Sequence, residues 1–552
     1  MPTVSAHVAA TLASHLKHVY GVMGNGNAYF LDALVRSTDA SYVPVRHEAG
    51  AVFAADAHFR AGGGLAAATT TYGAGFTNTM TALAEAVQAH VPLVLVVGDE
   101  PTSGPRPWDV DQIAMASAVG ARTYTVGLTD AAATTSIAVE HALRFNVPTV
   151  LAIPYDVARL EAGPVPATAP TRPAPPVVPA GEFAEATLAS VAEALAGAER
   201  PFLLAGRGAW LSGAGEALGE LAALTHAVTA TSALGRGLFP QGEFDLGVAG
   251  GFGAPAAMDL VREADVAVVF GAGLNQFTMR FGALFAPGTR VIQVDTEPTA
   301  THAHVGTYLR GDAAWVASEL VARLKAKGLD GAGTGWREAQ DFAALREREV
   351  PAEFAEDGRL DPRAAAAALA PLLPRERVVV SDGGHFLGWA NMYWPVARPD
   401  RMLMVGTAYQ TIGTGFPSMP GAADARPEST VVLTSGDGGG LMALADLETA
   451  VRHCGGRGLA VIWNDAAYGA EVNLYGVLGL ERSPMLIEQV DFAALTESFG
   501  GRGVVINRLE DLSALAAWRE EDPATRPFLT LDLRISGAVI APHQYEVIEQ
   551  NR

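Results

Sequence analysis

Short runs of β-branched and aliphatic residues alternate along the chain with longer stretches rich in alanine and leucine. Residues 92–98, 148–153, 266–270, 291–294, 378–381, 431–435, 459–463 and 528–533 are apolar almost throughout instead of alternating apolar with polar. A strand with one wet face alternates, whereas a strand apolar along its whole length needs cover on both faces. With helical stretches between the runs, the pattern predicts parallel strands joined by right-handed helical crossovers. Alanine-rich segments such as 364–368 are read as helix propensity only. No repeat of 20–50 residues stands out.

Two breaks divide the pattern. Residues 163–180 read GPVPATAPTRPAPPVVPA. Proline removes backbone donors and biases its predecessor towards extended geometry, so a semi-rigid linker is predicted over 163–182. The second break opens at AKGLDGAGTG and ends near Glu356-Asp357-Gly358, giving a linker over 331–360. The chain is therefore expected to be α/β, with three doubly wound parallel-sheet domains over 1–162, 183–330 and 361–552. Ligands of such domains sit beyond the carboxyl ends of the strands.

Composition narrows the partners. Hydrophobic residues make up 49% and charged residues 18%, a globular balance. The net charge of -21, from 59 acidic and 38 basic side chains, repels phosphate backbones, so no nucleic-acid partner is expected. The one cysteine, Cys454, can form neither an intramolecular disulfide nor a thiolate metal cluster. Residues 1–12 carry no basic, continuously apolar leader, and no apolar run is long enough to span a bilayer. A cytoplasmic protein without a membrane partner is expected.

The most informative stretch is TVVLTSGDGGG from Thr430, where an apolar strand runs into glycines and then into the helical LMALADLETAV. Glycines at 436, 438 and 439 allow close backbone approach to a phosphate, and the following helix N-terminus favours negative charge. Asp437 adds a hard oxygen of the kind Mg²⁺ prefers. A second strand, GLAVIWND, ends at Asn464, 27 residues beyond Asp437. One helix plus one strand fills that interval, which brings the two strand ends side by side. The Asn464 side chain and a backbone carbonyl near Ala466 are then further candidate ligands.

Strand–GDG followed about 27 residues later by strand–N resembles the signature of thiamine-diphosphate (ThDP) enzymes of the acetolactate synthase and pyruvate decarboxylase superfamily. The resemblance covers essentially the whole chain. It implies a pyrimidine-binding domain, a central domain and a diphosphate-binding domain, with Mg²⁺ on Asp437, Asn464 and the Ala466 carbonyl. Arg46-His47-Glu48-Ala49-Gly50-Ala51-Val52-Phe53-Ala54-Ala55 is similar to the family's R-H-E-x-x-A-x-x-A-A. This makes Glu48 the acid that favours the imino tautomer of the cofactor's aminopyrimidine. Gly73-Ala74-Gly75-Phe76-Thr77-Asn78 resembles G-P-G-x-x-N, with Ala74 in place of proline, and implies cofactor contacts at Gly73 and Asn78. Gly383-Gly384-His385 resembles the G-x-H whose histidine reaches the diphosphate. The stretch around Thr411-Ile412-Gly413-Thr414-Gly415-Phe416-Pro417 resembles G-x-M-G-x-G-x-P, placing Ile412 under the bend of the cofactor. Gly436, Gly438 and Gly439 complete the implied cofactor set.

The resemblance also bears on the reaction. Glu471, in Tyr468-Gly469-Ala470-Glu471, stands where pyruvate decarboxylases carry a proton-transferring glutamate. Simple decarboxylases also carry paired histidines in the first domain, but here the stretch reads Trp108-Asp109-Val110-Asp111-Gln112. Gln112 matches a glutamine of acetolactate synthases. Gly24-Asn25-Gly26-Asn27 replaces the family's P-G-D or P-G-G, which points Asn27 at the substrate. His90 is read as a loop histidine. The R-F-D-D-R type run of FAD-binding members is absent around Asn275-Gln276-Phe277-Thr278, which argues against FAD. The expectation is an acetolactate-synthase-like carboligase that decarboxylates a 2-oxo acid and transfers the remaining acyl carbanion to a carbonyl acceptor. A non-ligating decarboxylase and a 2-hydroxyacyl-CoA lyase are the alternatives, and a non-catalytic binding protein on the same scaffold is the rival from another class. The family also implies a homodimer or homotetramer, with Glu48 and Asp437 of one site supplied by different chains.

Overall fold

The computed structural model describes residues 1–171, 174–329, 331 and 333–551. Pro173 of the proline-rich linker and Asp330 and Ala332 of the second break lie outside the described residues.

Three parallel six-stranded sheets organise the chain. The first contains β1 (His18–Gly21), β2 (Ser41–Pro44), β3 (Ala67–Thr70), β4 (Val94–Asp99), β5 (Arg122–Thr125) and β6 (Thr149–Pro154), ordered β2-β1-β3-β4-β6-β5. The second contains β7 (Pro201–Ala205), β8 (Val228–Thr231), β9 (Asp245–Val248), β10 (Val266–Phe270), β11 (Arg290–Asp295) and β12 (Val305–Arg310), ordered β12-β11-β10-β7-β8-β9. The third contains β13 (Arg377–Ser381), β14 (Met402–Met404), β15 (Thr430–Gly436), β16 (Gly458–Asn464), β17 (Arg502–Ile506) and β18 (Leu529–Arg534), ordered β14-β13-β15-β16-β18-β17. Counted from its own first strand, the third sheet repeats the order of the first.

All eight predicted runs are strands, and all lie inside their sheets. Their register is continuous where they meet, as along β15 and β16 from Val431↔Gly458 to Gly436↔Trp463. Each sheet buries apolar side chains on both faces. In the central sheet Leu203, Val268 and Ile292 enter one core, while Phe202, Ala267 and Val291 enter another.

The first and third domains share a core. The helix Glu48–Arg60 packs along the helix Gly415–Ala425 so closely that a Cβ on Gly421 would lie 1.8 Å from the Ala54 carbonyl oxygen. Small residues on both helices permit that approach, and the cluster around it joins Ala51, Ala54 and Phe76 to Met419, Val431 and Leu447.

The second linker is shorter than expected. Trp336, Phe342 and Leu345 pack into the central domain's core, and the buried Arg337 donates to the Ala222 carbonyl. Composition hid this because glycine and charge surround a few apolar anchors. Among the described residues no helix is long and apolar enough to cross a membrane.

Candidate active site

Two clusters of loops, at the carboxyl ends of the first and third sheets, carry the residues singled out from the sequence. The first cluster follows β1 to β4. Glu48 opens the helix Glu48–Arg60, which His47 caps by accepting from Ala49 N at 3.2 Å. The Glu48 carboxylate is half-buried and accepts from Asn78 Nδ2 at 3.0 Å. Gly75 lies beneath it, where a Cβ would come within 3.2 Å of Glu48 Oε1 and 2.5 Å of Thr70 Oγ1. Gly73 takes φ 60°, which glycine adopts without strain, and Ala74 opens a short helix at a position that also suits proline.

The side chains of Asn27 and Gln112 are buried and bonded within the chain. Asn27 is 1% exposed, its Oδ1 accepts from Gly24 N at 2.8 Å, and its Nδ2 donates to Val22 O and Thr69 Oγ1. Its amide is consumed in closing its own loop. Gln112 is equally occupied: Oε1 accepts from Gly73 N at 2.8 Å, and Nε2 donates to Gly98 O and Asp99 Oδ1. Gln112 therefore braces the Gly73 turn instead of acting as a catalytic group. Arg106 was not anticipated. Its guanidinium lies 4.0 Å from the Tyr72 ring centroid and pairs with Asp109 at 2.8 Å, fixing the loop that carries the exposed Trp108. His90 is a loop residue, 3.7 Å from Glu297 of the central domain.

The second cluster follows β13 to β16. Asp437 starts the helix Asp437–Met442 directly after β15, and Asn464 is the last residue of β16. Asp437 is 2% exposed and Asn464 0%. The Asn464 amide nitrogen donates to Val490 O and Asp532 Oδ1, both at 2.9 Å, which turns its Oδ1 the other way. Asp437 Oδ2 and Asn464 Oδ1 are both buried without any hydrogen-bond partner. Ala466 holds φ 62°, unusual for a residue with a Cβ. Its carbonyl accepts from Ile487 N at 2.9 Å and keeps a second lone pair free. Burial pushes the Asp437 carboxyl above the ordinary carboxylate range, and the neighbouring Asp465 adds to the shift.

Two buried acids that sequence reading passed over hold this cluster. Asp382 accepts from the backbone N–H groups of Gly383, Gly413, Thr414 and Gly415 and from Ser435 Oγ, tying three loops together. Asp532 orients Asn464 and is itself held by Phe492 N and Arg534. The signal for each was a carboxylate on an otherwise apolar strand or at its end.

The glycines after β15 have protein neighbours. A Cβ on Gly436 would meet Phe386 at 2.9 Å, on Gly438 Tyr468 at 2.8 Å, and on Gly439 Asp382 at 2.8 Å. His385 Nε2 accepts from Ala541 N at 2.8 Å, so a neutral ring carries its hydrogen on Nδ1. Burial pushes His385 down to about 4, so the neutral form holds at pH 7. Ile412 lies beside Gly383, where a Cβ would meet its Cγ2 at 2.9 Å. Glu471 is exposed on Gly469–Glu471, which continues into a widened helical turn, Val472–Gly476; such turns recur at functional sites.

The fit to a divalent cation rests on the two orphaned oxygens. Leaving a buried polar atom unpaired costs about 1–3 kcal/mol. A hard cation would satisfy both atoms, and the free lone pair of the Ala466 carbonyl and anionic oxygens of a bound cofactor are of the kind it takes as further ligands. The N–H of His385 is a donor suited to the same diphosphate. In the central domain, the loops after β7 and β10 hydrogen-bond across the strand-order reversal, Gly208 N to Gly271 O at 2.9 Å.

Comparison with known proteins matches these features. Residues 2–122 match the thiamine pyrophosphate enzyme N-terminal TPP-binding domain, 188–320 the central domain and 382–525 the C-terminal TPP-binding domain. Fold and domain matches together define a ThDP-dependent enzyme that makes or breaks C–C bonds. The chain belongs to the acetolactate synthase and pyruvate decarboxylase superfamily of thiamine-diphosphate enzymes. Among its relatives, a probable acetolactate synthase large subunit of Methanocaldococcus jannaschii is 27% identical, covering 98% of this chain and 93% of the relative. A sulfoacetaldehyde acetyltransferase of Alcaligenes xylosoxydans is 27% identical, covering 93% and 89%. A probable 2-ketoarginine decarboxylase of Pseudomonas aeruginosa is 29% identical, covering 86% and 83%. The fold is shared with a ThDP-dependent 4-hydroxybenzoylformate decarboxylase of Rhodococcus jostii, TM-score 0.79, 20% identical, covering 97% and 99%.

Proposed function

We propose that the protein is a carboligase: it decarboxylates a 2-oxo acid and transfers the remaining acyl unit to a carbonyl acceptor, in the manner of acetolactate synthases. The observation that carries this reading is Gln112. It occupies the stretch where simple decarboxylases carry histidines, and its amide is bonded within the chain, to Gly73 N, Gly98 O and Asp99 Oδ1. That stretch thus supplies no imidazole to protonate a product early. Of the relatives named above, the acetolactate synthase bears the name of a carboligation, and the acetyltransferase that of an acetyl transfer.

ThDP, when bound, supplies the nucleophilic carbon and the electron sink. The chain's part is to bind, orient and move protons. Asp437, Asn464 and the Ala466 carbonyl would hold Mg²⁺, which would neutralise the charge of the diphosphate. His385 donates to that diphosphate, and Ile412 supports the bend. Glu48 holds a proton at the aminopyrimidine ring, with Asn78 fixing the orientation of its carboxylate. Glu471 stands exposed at the rim, placed to exchange a proton with substrate once the site is covered.

We further propose that the active unit is a homodimer in which the loops carrying Glu48 face the partner's loops carrying Asp437. Large apolar side chains stand exposed around both clusters: Met23, Trp108 and Ile113 near the first, Met442, Leu480 and Leu486 near the second. Mutual burial of two such rims accounts for them. FAD has no part in this reading.

Product analysis with pyruvate tests the reaction. The carboligase forms acetolactate from pyruvate alone, or a mixed product when a second aldehyde or ketone is supplied. Acetaldehyde as the sole product, whatever carbonyl compound is added, contradicts the proposal and returns the assignment to a decarboxylase using Glu471.

A further inference from the structure

Where the three domains meet lies a cavity of about 250 Å³, remote from both loop clusters. Phe59, Trp210, Leu234 and Met402 form apolar walls, and Arg60 and Arg207 supply the polar part. Arg60 and Glu48 stand at opposite ends of one helix, about 18 Å apart at a rise of 1.5 Å per residue.

The two arginines differ. Arg60 bonds Asp56 and Glu85 directly, and these two acids also act on Arg207 across a longer gap. Arg207 bonds to neither acid. Its Nη1 donates to the Ala89 carbonyl at 2.6 Å, while its Nη2 is buried with no partner and out of reach of the cavity, so the guanidinium has to turn for a ligand there to meet it. Burial, and then the Arg60 guanidinium, push Arg207 down to about 10, which leaves it charged at neutral pH. A buried guanidinium edge without an acceptor is costly, and a carboxylate is its best-matched planar partner.

We propose that this cavity is a binding site for a small organic acid, its carboxylate on Arg207 and its apolar body against Phe59, Trp210, Leu234 and Met402. The walls select against a bare inorganic anion, which would leave the apolar part of the cavity unfilled. The site is also wired to the third domain. Arg60 Nη1 donates to Met404 O at 3.1 Å, and Glu85 accepts from Tyr409 N at 2.7 Å, on the segment that leads to Ile412.

Calorimetric titration of the ThDP- and Mg²⁺-loaded enzyme with 3-phenylpropionate, which lacks the 2-oxo group, tests the proposal. Binding should weaken roughly tenfold or more for the uncharged 3-phenylpropanamide and in Arg207→Met, since a charge-assisted pair is lost. Leu211→Trp narrows the mouth from an exposed position and should weaken binding similarly, which keeps the test sound if Arg207→Met folds poorly. Absence of binding to the wild type at about 10 mM, a concentration that detects even millimolar affinities, overturns the proposal. So does equal affinity in a folded Arg207→Met or in Leu211→Trp, because the acid then sits elsewhere.

Discussion

The first and third domains repeat one strand order and place their functional loops after corresponding strands, yet the two loop clusters are finished to different degrees. In the first, the amides of Asn27 and Gln112 are fully used inside the chain, and Glu48 is held by one hydrogen bond from Asn78. In the third, Asp437 Oδ2 and Asn464 Oδ1 are buried with nothing to bond. One scaffold has become a rigid holder for a single acid. The other leaves two buried oxygens that no described group of the chain satisfies, a socket that a cation and its anionic ligand would fill.

The largest expected effect comes from the one acid of the finished cluster. Glu48→Gln should lower turnover on the order of 10³-fold while ThDP and Mg²⁺ still bind, read by steady-state rates beside a ThDP titration. Next is the socket: Asp437→Ala should weaken Mg²⁺-dependent ThDP binding by roughly 100-fold, more than the usual loss from a ligand's supporting partner. Equal ThDP affinity in this variant would erase the contrast between the clusters.

The seam between the two domains gives a pH effect. His58, bonded to Tyr20 and the Gly63 carbonyl, is pushed down to about 4 by burial and then by His18. The unfolded chain binds that proton near 6.5, so stability is full above this value and is lost as pH falls towards 4. The loss at pH 5 is about 2 kcal/mol. Denaturant unfolding at pH 7 and pH 5 checks it: His58→Gln should shrink the difference by about that amount, with the buried His385 adding a loss of its own.

Smaller effects sharpen the comparison. Asp532→Asn removes the acceptor that orients Asn464 and should weaken Mg²⁺-dependent ThDP binding roughly tenfold, without changing the metal's ligand set. Gln112→Leu leaves the Gly73 N–H unpaired and should cost about 1 kcal/mol or more of stability, with ThDP affinity little changed.

How far the sequence carried depended on burial. All eight continuously apolar runs are inner strands, because only a strand covered on both faces has that pattern. The edge strands β2, β5, β12 and β17 are partly exposed and mixed in composition, and escaped. Short inner strands such as AATT in β3 and VTAT in β8 escaped because small and hydroxyl side chains do not read as apolar. At the site, residues within motifs were legible. Their supports were not: Asp382 and Asp532 act through partners 31 and 68 residues away in sequence, which no local pattern reveals. Asn27 and Gln112 stood out for the right reason, being polar at loop positions near the site, yet both face inward.

We propose that neither cluster is an active site alone and that Glu48 of one chain serves the socket of another. Co-expression of a Glu48→Gln chain with an Asp437→Ala chain, each inactive by itself, tests this most directly. Random pairing makes half the dimers hybrid, each with one intact site of two, so about a quarter of wild-type activity should return. A co-expressed pair as inactive as its two parents would contradict it.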